Sequence, residues 1–202
     1  NDRTGISWTD VTWNTHNGCQ KISEGCRFCY ADSATGPKSR QGFGINGKPP
    51  IFGAGRESAE GVDGRGRWKV TLGRKELSDT NWKVPHTRNR RAIKNESIIL
   101  NFSDSMGDYL EDHPTVSLLL PKLWKTIRET PHVHWLLCTK RAERIRENLP
   151  EDWWDYENGY ANVWLGVSVE NADYGYRFND HLANIPAVCR FASFEPALGP
   201  IH

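Results

Sequence analysis

The sequence predicts an α/β protein built on a parallel sheet, and three observations carry that reading. Short apolar runs with β-branched residues recur at residues 98–102, 134–138, 163–167 and 188–192. Helical patterns lie between them at 115–129, where Val116, Leu119, Leu120, Leu123 and Ile127 share a face, at 140–149, and at 172–184 with Tyr174, Phe178 and Leu182. Every run ends in a polar tip. Strand and helix in strict turn mean βαβ units, whose strands align in a parallel sheet or barrel with the chemistry gathered at their C-terminal ends.

In chain order, residues 6–14 read ISWTDVTWN, two short alternating apolar faces that suit an opening strand. A cysteine-rich loop follows. Residues 36–66 hold nine glycines with Pro37, Pro49 and Pro50, and no strand or helix period survives there. Within 65–94, ten Lys or Arg meet only Glu76 and Asp79, a local charge of +8 against −7 for the rest of the chain. Residues of about 36–97 therefore read as a glycine-rich and basic excursion from one domain spanning 1–202, since 202 residues supply one sizeable core. Pro121 is expected to kink the helix at 115–129 or to delay its start. The chain begins with Asn1 rather than Met, and Gly199, Pro200, Ile201 and His202 follow a strand pattern without a closing helix, which suggests a piece of a longer protein.

Composition excludes several classes. With 25% charged residues and no apolar run near the roughly 18 residues that a span requires, no helical membrane protein is expected. Five cysteines, an odd number, without a secretory leader argue against a disulfide framework and for a reducing cytoplasm. Cys138 and Cys189 lie in apolar strand runs and read as small buried hydrophobes. Most of the nine tryptophans read as core.

The polar tips are Ser103-Asp104-Ser105-Met106, Thr139-Lys140-Arg141, Ser168-Val169-Glu170-Asn171 and Ser193-Phe194-Glu195-Pro196. Helix capping accounts for part of them, because Ser, Thr, Asp and Asn accept the free N–H groups of a following helix. It does not call for Lys140, Arg141 or Glu195.

Cys19-x6-Cys26-x2-Cys29 is the most informative feature. Thiolates at this spacing converge on one metal centre when the loop returns over its six residues. Two centres fit. If His16 adds a fourth ligand, the site is a closed Cys3His zinc centre of a nucleic-acid-binding module without catalysis. If no residue does, three thiolates hold three irons of a [4Fe-4S] cube and leave the fourth open. Methyl transfer by polar attack fits neither, and no glycine-rich nucleotide loop directly follows a strand.

The residues also resemble a known family. Ile6-Ser7-Trp8-Thr9-Asp10, Trp13-Asn14, Gly18-Cys19, Gly25-Cys26 and Cys29-Tyr30-Ala31 look like the three-cysteine phage proteins, a family of phages and bacteria distantly related to the radical S-adenosylmethionine (SAM) enzymes. So do Leu137-Cys138-Thr139-Lys140-Arg141, the VWLGVSVE run at 163–170 and Ser193-Phe194-Glu195-Pro196. The likeness covers most of the chain apart from roughly 36 to 97. It implies a partial (βα) TIM-type barrel of radical SAM kind whose C-terminal strands lie beyond Ile201. It departs at the cysteines, because radical SAM proteins carry Cys-x3-Cys-x2-Cys whereas the first gap here is six.

The resemblance also implies chemistry. Cys19, Cys26 and Cys29 would hold the [4Fe-4S] cluster, and its open iron would chelate the amino and carboxylate groups of SAM. One electron from a donor such as flavodoxin or ferredoxin would release a 5'-deoxyadenosyl radical that abstracts hydrogen from a substrate. Phe28 and Tyr30 would pack on the adenine. By position, Ser103, Asp104 and Ser105 would meet the methionyl amino group or ribose, and Ser168, Glu170 and Asn171 the ribose or carboxylate. Lys140, Arg141 and Glu195 would meet substrate or carboxylate as the catalytic set. The basic stretch, with Arg88, Arg90 and Arg91, points to a nucleotide or a base in DNA. For a phage enzyme this means DNA hypermodification, for instance isomerisation of a thymidine side chain, in the cytoplasm of a bacterium or phage-infected host.

Overall fold

Alternation of buried and half-buried side chains along short strands decides the architecture. The computed structural model describes residues 4–29 and 74–201. In chain order the strands are β1 (Val11–Trp13), β2 (His16–Asn17), β3 (Lys75–Glu76), β4 (Ile99–Ser103), β5 (Val133–Thr139), β6 (Val163–Ser168) and β7 (Cys189–Ser193). The helices are α1 (Asp79–Trp82), α2 (Val84–Lys94), α3 (Pro114–Arg128) and α4 (Ile145–Asn148). Strands β1, β4, β5, β6 and β7 form one sheet in that spatial order, and every pairing is parallel. Each new strand is laid beside the last, without the reversal that marks doubly wound sheets. Strands β2 and β3 make a small antiparallel ladder of their own.

The four apolar runs read from the sequence are β4 to β7, each shifted by at most one residue at either end. Val133, Trp135, Leu137, Val163, Leu165 and Val167 are fully buried and face the helices. Burial of each such side chain contributes about 1.5–3 kcal/mol. Trp13 meets Trp82 and Trp135 edge to face, at 4.9 and 5.4 Å between ring centroids. Trp124 and Trp153 are also buried, while Trp154 is exposed beneath Arg146. The core reading of the tryptophans therefore holds for these five.

On the other sheet face Phe102, Leu136, Trp164 and Phe191 are only partly covered, except for Leu136. The indole of Trp8 lies 4.8 Å from Phe102 of β4 and 6.1 Å from Phe191 of β7, so side chains of strands with two others between them converge over this face. Gly166 permits that convergence: a Cβ there would stand 2.2 Å from the Phe191 ring.

Helical structure departs more from expectation. Helix α3 runs without interruption through Pro121, which lies on its exposed side. Residues 140–149 give only a 3-10 turn (Ala142–Arg144) and the single turn α4. Residues 172–184 give a 3-10 turn (Ala172–Tyr174) and a π-helical segment (Arg177–Leu182), with Gly175 between them. The basic excursion is corrected at its C-terminal end, where α1 and α2 form the crossover from β1 to β4. The inward face of α2 consists of Pro85, Arg88, Asn89 and Ala92, so no apolar period announces it. The glycine-rich part of the excursion lies outside the described residues. Among the described residues no helix is long and apolar enough to cross a membrane.

Candidate functional site

The five parallel strands end on one rim, and the loops that leave it enclose a cavity of about 490 Å³. Cys19, Cys26 and Cys29 all line it. Cys26 sits on a 3-10 turn (Glu24–Phe28) and is buried, whereas Cys19 and Cys29 are half-buried. Gly25 lets this turn press against the rim, because a Cβ there would lie 2.6 Å from Glu170 Oε1 and 2.8 Å from Pro196 Cδ. Burial pushes the Cys19 thiol well above its usual range, only partly opposed by Arg141, and the neighbouring Cys26 adds to the rise. Without a cation beside it the Cys19 thiol stays protonated.

Two clamps hold the cysteine loop. At its start, Gln20 N donates to Glu111 Oε1 (2.6 Å) and Arg141 Nη2 donates to Gln20 O (3.0 Å). Arg141 Nη1 donates to Asp108 Oδ2 (2.8 Å) and lies 3.7 Å from Cys19 Sγ. Arg74 closes the network through two bonds to Glu111, at 2.7 and 2.6 Å. Further along the loop, Ser23 Oγ donates to Glu170 Oε1 (2.6 Å), which also pairs with Lys140 Nζ. Burial alone would raise the Asp108 carboxyl, but Arg141 and hydrogen bonds from Thr139, Leu110 and Lys140 hold it below the usual carboxylate range.

Asp104 follows β4 with φ 56°, a left-handed conformation rare outside glycine. Its Oδ1 accepts from Thr15 N (2.7 Å) and Thr15 Oγ1 (2.9 Å), while the buried Oδ2 has no hydrogen-bond partner. Burial raises this carboxyl despite His16 and the Thr15 bonds. Strained backbone and an unpartnered carboxylate oxygen are features that cluster at functional sites.

The remaining expectations divide. Asp104, Ser105, Lys140, Arg141, Ser168 and Glu195 line the cavity with the cysteines. Ser103 does not: it is fully buried on the helix-facing side and accepts from Asn101 Nδ2 (3.1 Å). Glu170 stands behind the cysteine loop as its tether, and Asn171 caps the Ala172–Tyr174 turn by accepting from Asp173 N (3.0 Å). Neither lines the cavity. The Phe28 side chain and Tyr30 lie outside the described residues.

His16 is buried, bonded through Nδ1 to Thr15 Oγ1 (2.7 Å), and packed against Gly107. It is not among the residues lining the cavity. Among the described residues no three His, Cys, Asp or Glu come together in the arrangement that would hold one metal ion. A zinc ion needs its ligand sulfurs that close, at about 2.3 Å from the metal.

The arginine triplet divides. Arg88 is buried and donates to Asn101 Oδ1 (2.6 Å) and Thr12 O (3.2 Å), so it faces the sheet and not a phosphate. Arg90 and Arg91 are exposed and directly follow Asn89, whose Oδ1 accepts from His132 N ahead of β5. They therefore flank the N-terminal strand ends, opposite the cavity.

Sequence reasoning missed Asp108 and Glu111, whose only signal was the acidic spacing after Ser103, and underrated Cys138. That cysteine lines the cavity, with its Sγ 3.6 Å from Ser168 Oγ and its thiol pushed up to about 12 by burial.

No curated protein and no solved structure matches the chain. One family model does, over residues 3–202, and the chain thus belongs to the family described as Protein of unknown function (DUF5131).

Proposed function

We propose that the protein is a radical SAM enzyme with a [4Fe-4S] cluster on Cys19, Cys26 and Cys29. The observation that carries this reading is that the three cysteines line one cavity on the C-terminal rim of five parallel strands laid down in sequence order. That order suits a segment of a (βα) barrel, and the convergence of Phe102 and Phe191 on Trp8 suits its concave side. The donor set also fits, being three thiols that share one cavity. When bound, the cluster and SAM supply a 5'-deoxyadenosyl radical by one-electron cleavage of the sulfonium bond.

The chain's own residues bind, orient and exclude water. Asp104 offers an unpartnered carboxylate oxygen beside the cavity, suited to an ammonium or hydroxyl group. Ser105 and Ser168 add hydroxyls. Trp8 and Phe102 supply apolar walls for a planar ring, and Lys140 stands at the edge with a positive charge. A nucleotide or a base within DNA is the substrate class we favour, with isomerisation of a modified thymidine side chain as the reaction and a flavodoxin- or ferredoxin-like protein as electron donor. A target base in duplex DNA would have to be flipped out of the stack to reach the cavity.

The test is anaerobic purification followed by metal analysis. Brown protein with about four irons per chain and slow release of 5'-deoxyadenosine with dithionite and SAM is expected. Each of Cys19→Ala, Cys26→Ala and Cys29→Ala should lose iron, while Cys189→Ala should keep it. Colourless protein carrying one zinc that is lost in His16→Ala would replace this reading with the Cys3His module. For the substrate, binding to DNA should fall steeply with salt.

A further inference from the structure

The loop from Cys19 to Cys26 is too long to fix its own first sulfur, since six intervening residues leave many conformations open. What fixes it comes from far away in sequence. Arg141 is 5% exposed and reaches three acceptors from one guanidinium: Asp108 Oδ2, Gln20 O and Cys19 Sγ. Only a planar fork serves all three at once, and a lysine ammonium would not. The adjacent Lys140 turns instead to Glu170. The two basic residues of one strand tip thus hold the two parts of the cysteine loop.

We infer that Arg141 is a positioning residue that hydrogen-bonds the Cys19 sulfur and sets how readily the cluster accepts an electron. The inference rests on the iron–sulfur reading above. Hydrogen bonds and net charge next to cluster sulfurs tune reduction potential. A cation at Cys19 stabilises the extra negative charge of the reduced cluster and raises the potential, and Asp108, 2.8 Å from the same guanidinium, partly offsets it. Removal of the two charges therefore has opposite effects, a signature that a loosened loop does not produce.

The experiment is a dithionite titration of the anaerobically reconstituted full chain, followed by electron paramagnetic resonance, on the parent, R141Q, R141K and D108N. Iron and sulfide are measured first. In R141Q the reduction equilibrium should fall about tenfold, equal to about 59 mV more negative for a one-electron couple. D108N should shift the other way, and R141K should lie between the parent and R141Q. If R141Q fails to hold a cluster, R141K and D108N still give the two signs. A parent without iron overturns the iron–sulfur reading and this inference with it. A parent with a full cluster whose potential is the same in all variants, or moves in one direction in all of them, overturns the inference alone.

Discussion

Ser23 Oγ donates to Glu170 Oε1 across 2.6 Å, joining two residues 147 positions apart. The bond ties the cysteine loop to the tip of β6, and Glu170, fully buried, has Lys140 as a second partner. Glu170→Ala should leave Lys140 without its carboxylate and release the loop. Partners behind metal ligands commonly contribute 10–100-fold to metal affinity. Glu170→Ala is therefore expected to weaken iron retention by that factor, read as loss under a chelator series, and Ser23→Ala to weaken it less. Equal retention in both variants and the parent would remove the tether.

Asp104 and Asp108 should respond to pH with opposite signs. The folded carboxyl of Asp104 is raised, so its contribution to stability is fully present below the unfolded value near 3.8 and is lost as pH rises through the folded one. That of Asp108 is lowered, so its contribution is present above the unfolded value and is lost as pH falls through the folded one. In metal-free protein, Asp104→Asn should therefore gain on the parent from pH 4 upward. Asp108→Asn should be weakest near neutrality and approach the parent in acid. Denaturant unfolding at four pH values measures both differences, and parallel curves would refute the assignment.

Gly166 lies beneath the Phe191 ring. Gly166→Ala should cost about 1–3 kcal/mol by overpacking. Adding Phe191→Leu, which withdraws the ring, should recover much of that loss. Additive losses in the double variant would show that the glycine serves another purpose.

Arg88 holds β1 to β4 through Thr12 O and Asn101 Oδ1. Arg88→Ala leaves buried acceptors unpaired, a loss of about 1–3 kcal/mol for each such group. It should lower the melting temperature without changing the salt slope of DNA binding. Arg90→Ala and Arg91→Ala should do the reverse: stability is kept, and any DNA binding carried by this helix loses slope.

The sequence made the sheet legible because β5 and β6 carry runs of buried apolar residues, while β4 and β7 alternate in exposure at strand spacing. Helix α2 was illegible for the opposite reason. Its buried face is built from Arg88 and Asn89, whose partners Asn101 and His132 lie on other elements. At the site, cysteine spacing alone identified three side chains that do share a cavity. Which rim residues face that cavity and which face the loop depends on pairings over more than a hundred positions, such as Arg141 with Gln20. No local pattern encodes these. Ser103 illustrates the limit: one position of strand register places it on the helix side, next to an Asp104 that lines the cavity.

The distance between the cysteine loop and its tethers also orders events during synthesis. The three thiols emerge from the ribosome before their tethers, since Arg141 lies 122 residues after Cys19, and Glu170 follows later still. Contacts of such separation form late because loop closure must come first. A nascent chain thus carries three unconfined thiols until Arg141 and Glu170 have been made, open to oxidation and to stray metal. Pulse-labelling of stalled chains with a thiol reagent would find Cys19 reactive until β6 has emerged and shielded afterwards.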